Sequence, residues 1–287
     1  MLRLAEKYLD ERCVESSRLS SERLLAAVLN IDRMGLYLQF ARPLEEKELV
    51  LFREHIRRRA DGEPLQYILG STGFRELTLK VGPGVLIPRP ETEQLAGLVL
   101  SRLDGLLEAG NCPLRILDLC AGSGAVGLSL AAEREGLWCV LAELREEATH
   151  WARLNMHELG STLKSPACIV RADLFGALSS TNSFDIVVSN PPYVSESEMT
   201  SLPANVRDHE PHSALAAGTR GLDVIERIMA GATEQLRSGG LLALEIGEEQ
   251  QDGIEELLAA QAPGAYGKAE FHSDMAGKTR FVTVYRL

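Results

Sequence analysis

Long apolar runs, paired cysteines and an excess of cationic side chains are all missing from this 287-residue sequence. No window approaches the roughly 18 uninterrupted apolar residues that a membrane-spanning helix needs, so no membrane association is expected. Met1 to Lys7 becomes charged too early for a secretory signal. The five cysteines, at 13, 112, 120, 139 and 168, form no CxxC pair and no metal-like spacing. Reduced thiols in a cytoplasmic setting, with no metal site, are expected. Lys and Arg number 30 against 41 Asp and Glu, a formal charge of −11, and aromatic residues make up only 5%. That balance disfavours a broad phosphate-binding surface and an aromatic-basic stripe for stacking bases, so no nucleic-acid partner is expected. The deficit is uneven. Residues 1–60 carry 12 basic against 10 acidic side chains, and the remainder carries 18 against 31. Arg57-Arg58-Arg59 is the one basic cluster and reads as a solvated helix face. No internal repeat or low-complexity tract is visible.

What is present is ordinary globular material, 45% hydrophobic and 25% charged, in a length suited to about two domains. Residues 1–65 read as a helical bundle: Leu24, Leu25, Val28 and Leu29, then Leu49, Val50, Phe52 and Ile56, recur at helical spacing. Ser20 or Ser21 is placed to cap the second helix, with Arg42-Pro43 breaking the chain before the third. Residues 66–90 read as a linking β-hairpin, with Leu77–Val81 alternating and Gly82-Pro83-Gly84 turning into Val85-Leu86-Ile87. From there to residue 287, strands near 115–119, 138–142, 167–170, 184–188, 241–246 and 280–285 alternate with helical patterns. Repeated βα units imply an α/β, Rossmann-like, mostly parallel sheet. The alternating strand that closes the chain is expected to run antiparallel to the one before it, as an edge hairpin.

Three stretches carry chemistry. Phe184–Val188 runs into Ser189-Asn190-Pro191-Pro192-Tyr193, where each proline fixes φ and removes an N–H. The result is a rigid rim of carbonyls, one amide and one ring at the carboxyl end of a buried strand, where open α/β sheets bind ligands. The second stretch is Asp118-Leu119-Cys120-Ala121-Gly122-Ser123-Gly124, a glycine turn that brings backbone close to a ligand and aims helix N–H groups at it. Glu143 ends the next strand, 19 residues beyond Gly124, where a carboxylate accepts from two ribose hydroxyls. Asp173, after the third strand, can accept from an adenine amino group, with Leu174 and Phe175 bounding the ring. The third stretch is Ile87-Pro88-Arg89-Pro90-Glu91-Thr92-Glu93, where Pro90 suits a first helical turn and the acids favour its positive end. A dinucleotide would place a pyrophosphate at the glycine turn; Asp118 and Glu143 suit a cationic sulfonium ligand better.

These residues resemble the class I methyltransferases that act on planar amide or amine nitrogens. More narrowly, the chain from about residue 60 onward is similar to the HemK/PrmC family of peptide chain release factor N5-glutamine methyltransferases. The likeness lies in Pro64–Gly70, Val85–Glu93, the 118–124 turn, Asn190–Tyr193, Glu210-Pro211, Ala214-Leu215, Gly221-Leu222-Asp223, Glu245-Ile246-Gly247 and the segment from Asp274 to Arg280. Cys120 stands where that family usually has Gly, and Glu143 where Asp is commoner. The resemblance implies S-adenosylmethionine as cofactor, bound by Asp118, Cys120, Ala121, Gly122, Ser123, Gly124, Glu143, Asp173, Leu174 and Asn190. It implies as partner a class 1 release factor, whose Gly-Gly-Gln glutamine is methylated. The helical bundle, without catalytic chemistry of its own, is expected to be a docking module, and the enzyme is expected to be a monomer.

An amide nitrogen is a poor nucleophile because its lone pair is delocalised. Asn190 and the Pro191 carbonyl are therefore expected to hold the two substrate N–H groups, Pro192 to stiffen the rim and Tyr193 to pack on the amide plane. Arg89, Glu91 and Glu93 are expected to close the substrate groove, and no His, Asp or Glu is expected beside the rim as a general base. The same rim would serve a nucleic-acid adenine N6-methyltransferase, which the acidic body disfavours. A non-catalytic nucleotide-binding protein is disfavoured by the intact set Gly122, Gly124, Glu143 and Asn190.

Overall fold

Alternation along the strands decides which side of the sheet each residue serves. In a computed structural model, which describes residues 1–110, 112–178, 183–261 and 264–287, a seven-stranded sheet runs β5-β4-β3-β6-β7-β9-β8. Its strands are β3 (Leu114–Leu119), β4 (Leu137–Glu143), β5 (Ala167–Arg171), β6 (Phe184–Ser189), β7 (Leu236–Glu245), β8 (Glu270–Ser273) and β9 (Thr279–Tyr285). β3 to β7 pair in parallel, and β9 and β8 are antiparallel. Leu114 and Ile116 of β3 face one layer, while Leu117 and Leu119 face the other. The first layer holds α6 (Pro90–Glu108) and α7 (Ala125–Glu133), and the second α11 (Asp223–Gln235) and α12 (Gln251–Gln261). Residues buried on both faces explain the near-continuous apolar runs in β3 and β6.

The chain from β3 winds outward through β4 to β5, then returns so that β6 lies on the other side of β3. This reversal opens a crevice at the carboxyl ends of β3 and β6, the place where open α/β sheets bind ligands. The glycine turn and the Asn190 rim both emerge there.

The N-terminal helices are α1 (Leu2–Asp10), α2 (Ser17–Leu29), α3 (Arg33–Leu38), α4 (Glu46–Ala60) and α5 (Leu65–Leu69). They share a core of Leu9, Leu24, Leu25, Leu36, Phe52, Ile56 and Ile68. Several expectations need correcting. The second helix starts at Ser17, not after Ser20 or Ser21, which are buried within it. Short α3, capped by Asp32 accepting from the Gly35 N–H at 2.7 Å, was not anticipated. Val50 points to solvent. Arg58 and Arg59 are not solvated freely: Arg58 makes a two-pronged bond to Glu63 at 2.6 and 2.7 Å, and Arg59 donates to the Glu63 carbonyl.

The hairpin forms, but with another partner. β1 (Ser71–Phe74) pairs with β2 (Leu77–Lys80), while 85–87 forms no strand. Phe74, Leu77 and Leu79 bury themselves in the same core as α6 and β3. At the other end of the chain the antiparallel edge is made by β8 and β9, with β9 inside and the unanticipated β8 outermost. β7 begins at Leu236, five residues before the predicted start, and passes through Gly239 at φ +75°. Among the described residues five further elements remain: α8 (Glu146–Leu159), α9 (Glu196–Met199), α10 (Ala204–Arg207) and short turns of 3-10 helix at Gly160–Thr162 and His212–Ala214. No helix among the described residues is long and apolar enough to cross a membrane.

Candidate active site

Asp118, the penultimate residue of β3, has its carboxylate buried, and its Oδ2 accepts from the Gly127 N–H of α7 at 2.8 Å. Glu143 ends β4 and accepts from the Gly122 N–H and the Arg145 N–H, both at 2.8 Å. One carboxylate thus ties the glycine turn to the following loop. Each of its oxygens keeps a lone pair for a ligand. Asn155, buried on α8, donates to the Ser123 carbonyl and to Lys80 of β2, so the hairpin and the turn are held together. Gly122 is left-handed at φ +57°. Gly124 has a different reason to be glycine: at φ +83°, a Cβ there would lie 2.8 Å from Leu128.

Two cavities meet at the Asn190 rim. The larger cleft, about 1120 Å³ with its open mouth included, is lined by Asp118, Cys120–Ser123, Glu143, Asp173, Leu174, Asn190 and Pro192. The smaller, about 300 Å³, is lined by Arg89, Asn190, Pro191, Tyr193, Leu215 and Glu245. Leu86, Asn190 and Ala214 belong to both. Most of the sequence-derived residues therefore converge, sorted into two compartments. Glu91, Glu93, Gly124 and Phe175 line neither, so the expected roles of Glu93 at the groove and Phe175 at the ring have no cavity contact behind them. Asp173 lines the large cleft while its Oδ2 accepts from Arg227 at 2.8 Å.

The rim is wired to residues that the sequence did not single out for it. Asn190 Nδ2 donates to Thr92 Oγ1 at 3.0 Å, and that hydroxyl donates to Glu245 Oε2 at 2.7 Å. Tyr193 donates its phenol proton to Glu245 Oε1 at 3.3 Å. Glu245 therefore does stand beside the rim, against expectation, but both its oxygens are engaged and it is buried. Burial pushes its carboxyl up to about 7, opposed by the Thr92 and Tyr193 hydrogen bonds. Arg89, stiff between two prolines, donates to Glu210 Oε1 at 2.6 Å, while Glu210 Oε2 accepts from the Ile87 N–H at 3.1 Å. These partners lie 153 and 121 residues apart in the chain, so no local pattern links them. Among the described residues, no group of three or more His, Cys, Asp or Glu side chains is placed to hold a metal ion.

Comparison with known proteins fits this arrangement. A family model described as the PrmC N-terminal domain matches residues 1–70, and one described as the methyltransferase small domain matches 97–206. A release factor glutamine methyltransferase of Nitratidesulfovibrio vulgaris is 37% identical over 286 residues, covering 100% of this chain and 94% of its own. Its counterpart in Rhodopirellula baltica is 34% identical over 272 residues, covering 95% and 90%. This chain belongs to the release factor glutamine methyltransferase family. The sheet also resembles the hMettl16 catalytic domain, at 17% identity and a TM-score of 0.58 over 77% of this chain and 81% of that one. A T. Thermophilus 16S rRNA methyltransferase solved with AdoMet and guanosine gives 22% identity and a TM-score of 0.54, over 76% and 50%. Both likenesses are of fold.

Within this methyltransferase, Cys120 has an unusual backbone. Its φ is +55°, and Leu174, which lines the same cleft, is at +49°. A side chain in the left-handed region costs about 1–2 kcal/mol. Strain of this kind gathers where a ligand must be approached closely. Burial pushes the Cys120 thiol up to about 12, so it is no nucleophile at neutral pH. Cys120→Gly is expected to keep stability within about 1 kcal/mol, since relieved strain offsets the greater freedom of the unfolded chain. Cys120→Val, β-branched at positive φ, should lose at least about 2 kcal/mol. Urea unfolding midpoints of the two variants check the contrast.

Asp118 supplies a second expectation. Burial, with Glu143 adding and the Gly127 N–H opposing, pushes its carboxyl up to about 7. The folded protein thus holds a proton that the unfolded chain releases near pH 4. Stability from this group is full below pH 4, falls as pH rises towards 7, and stays at its lower value above. Asp118→Asn keeps an acceptor for Gly127 and removes the titration. Its ligand-free Tm, relative to wild type, should rise between pH 5 and pH 8 by on the order of 5 °C in thermal melts.

Proposed function

We propose that the enzyme transfers the methyl group of S-adenosylmethionine to the side-chain amide nitrogen, N5, of the glutamine in the Gly-Gly-Gln motif of class 1 peptide chain release factors. The observation that carries this reading is the Asn190 amide, which stands where the two cavities meet. One N–H of its Nδ2 goes to Thr92, and its Oδ1 takes no hydrogen bond from a described residue. Family membership narrows the planar nitrogen to a glutamine amide.

The large cleft suits a cationic nucleoside. Asp118, Glu143 and Asp173 line one space, and a positive ligand between Asp118 and Glu143 would relieve the repulsion that helps raise the Asp118 carboxyl. Glu143 would take the ribose hydroxyls on its remaining lone pairs, with Asp173 and Leu174 at the base and Gly122 and Ser123 bringing backbone close. S-adenosylmethionine, when bound, supplies an electrophilic methyl on a sulfonium.

The chain's own residues supply position and polarity. Asn190 Oδ1 and the Pro191 carbonyl accept the two N–H groups of the glutamine amide, turning its lone-pair face towards the large cleft. Neither Pro191 nor Pro192 brings a competing N–H, and their fixed φ makes the acceptors rigid before substrate arrives. Tyr193 walls the amide plane while its phenol, held protonated by burial, stays on Glu245. The protonated amide product is a strong acid and loses its proton without a dedicated base. Arg89 holds the wall of the small cavity through Glu210 and does not reach for substrate charge. The helical bundle of residues 1–65 serves as the docking module.

The test is incubation with methyl-labelled S-adenosylmethionine and, in parallel, a class 1 release factor, RNA or DNA, followed by peptide mass mapping. Label on the Gly-Gly-Gln glutamine is expected. Label in nucleic acid, or nowhere, overturns the reading.

A further inference from the structure

The Ile87–Glu93 stretch does more than start a helix. Pro90 sets the first turn of α6, Arg89 is pinned to Glu210, and the Ile87 N–H is held by the same carboxylate. That anchorage delivers Thr92, 3% exposed, between Asn190 and Glu245. We infer that Thr92, held by Glu245, is a positioning residue that dictates which end of the Asn190 amide faces the substrate glutamine. The inference rests on the glutamine-methylating reading and adds to it the source of the amide's polarity.

A threonine hydroxyl has one proton and two lone pairs, and an ionised carboxylate only accepts. A buried carboxylate claims the hydroxyl proton, because a charge-assisted bond is about twice as strong as a neutral one. Glu245 Oε2 takes it at 2.7 Å. Thr92 Oγ1 is then left only as an acceptor, and Asn190 must turn Nδ2 to it. Oδ1 consequently points away from Thr92 as an acceptor, which an incoming N–H requires. The opposite amide orientation would set an NH2 against the substrate NH2 and leave Glu245 with Tyr193 as its one hydroxyl donor. A hydroxyl at that place is sufficient to set the amide, with or without threonine's methyl group.

Thr92→Val keeps the shape and removes the hydroxyl, whereas Thr92→Ser keeps the hydroxyl. At pH 8.5, where Glu245 is ionised, Thr92→Val is expected to lower kcat on release factor by on the order of 10²-fold, from mispositioning of the acceptor. KM for release factor and Kd for S-adenosylmethionine by calorimetry should stay within about threefold, which also shows that the variant is folded. Thr92→Ser should restore kcat to at least about a third of wild type. A Val variant as fast as wild type overturns the inference, as does a Ser variant as slow as the Val one. If wild type itself leaves the glutamine unlabelled, the functional reading falls and the inference with it. If wild type labels glutamine and Thr92→Val does so equally fast, the orienting role alone falls.

Discussion

Asn190→Ala is expected to lower kcat on release factor by about 10²–10³-fold, the range seen when a preorganised polar group is removed from a reacting centre. Kd for S-adenosylmethionine should change by less than about threefold. The asymmetry follows from where the residue stands. Asn190 lines both cavities, but the large cleft retains Asp118, Glu143, Asp173 and the glycine turn, whereas the small one loses the amide oxygen that takes no hydrogen bond from a described residue. Asn190→Asp is no substitute. A carboxylate there cannot donate to Thr92, and it would place a second negative charge beside Glu245. Single-turnover methylation with saturating cofactor measures the loss directly. A wild-type rate for Asn190→Ala would remove this residue from the reaction altogether.

How much of this was legible in the sequence follows from distance along the chain. The glycine turn, Glu143 and the Asn-Pro-Pro-Tyr rim are local signals, each attached to a strand end, and the strand–helix alternation that carries them is a periodicity over a few residues. β3 and β6 are buried on both faces, so their apolar runs stood out. β8 did not, because its four residues are short, partly exposed and carry no alternation. The hairpin partner was misread for a related reason: Val85 and Ile87 are fully buried without being strand, since they pack with Tyr67, Val81 and Ala148 under the edge of the cleft. Apolar spacing reports burial, and burial alone does not distinguish a ladder from a packed extended segment. The network of Thr92, Asn190, Glu245 and Tyr193 was invisible as a network. Its members lie on α6, after β6 and at the end of β7, joined only when the sheet order brings those ends together. Both Thr92 and Glu245 lay inside the stretches that resemble the family, yet resemblance alone gave neither a partner.

Glu143→Ala should do the reverse of Asn190→Ala. The wild-type carboxylate holds the Gly122 and Arg145 N–H groups at 2.8 Å each and lines the cleft, where in the proposed function its remaining lone pairs take two ribose hydroxyls. Hydrogen bonds to a charged acceptor contribute about 1.5–3 kcal/mol each. Loss of two, partly recovered by water entering the gap, predicts Kd for S-adenosylmethionine weaker by on the order of 10²-fold. The glycine turn also loses its tie to the loop after β4, which adds to the loss in binding rather than to any loss in the methyl-transfer step. With cofactor raised to saturation, kcat should return to within about fivefold of wild type, because Asn190, Pro191 and Thr92 are untouched. Glu143→Asp, the commoner residue of the family at this place, keeps the charge on a stem one methylene shorter and should weaken Kd by about tenfold or less. Calorimetric titration of the three proteins orders them directly. An Ala variant that binds as tightly as wild type would dislodge the ribose from Glu143. An Ala variant that binds normally at saturation yet turns over as slowly as Asn190→Ala would mean that the two cavities are one functional unit, not a cofactor cleft and a substrate pocket joined at Asn190.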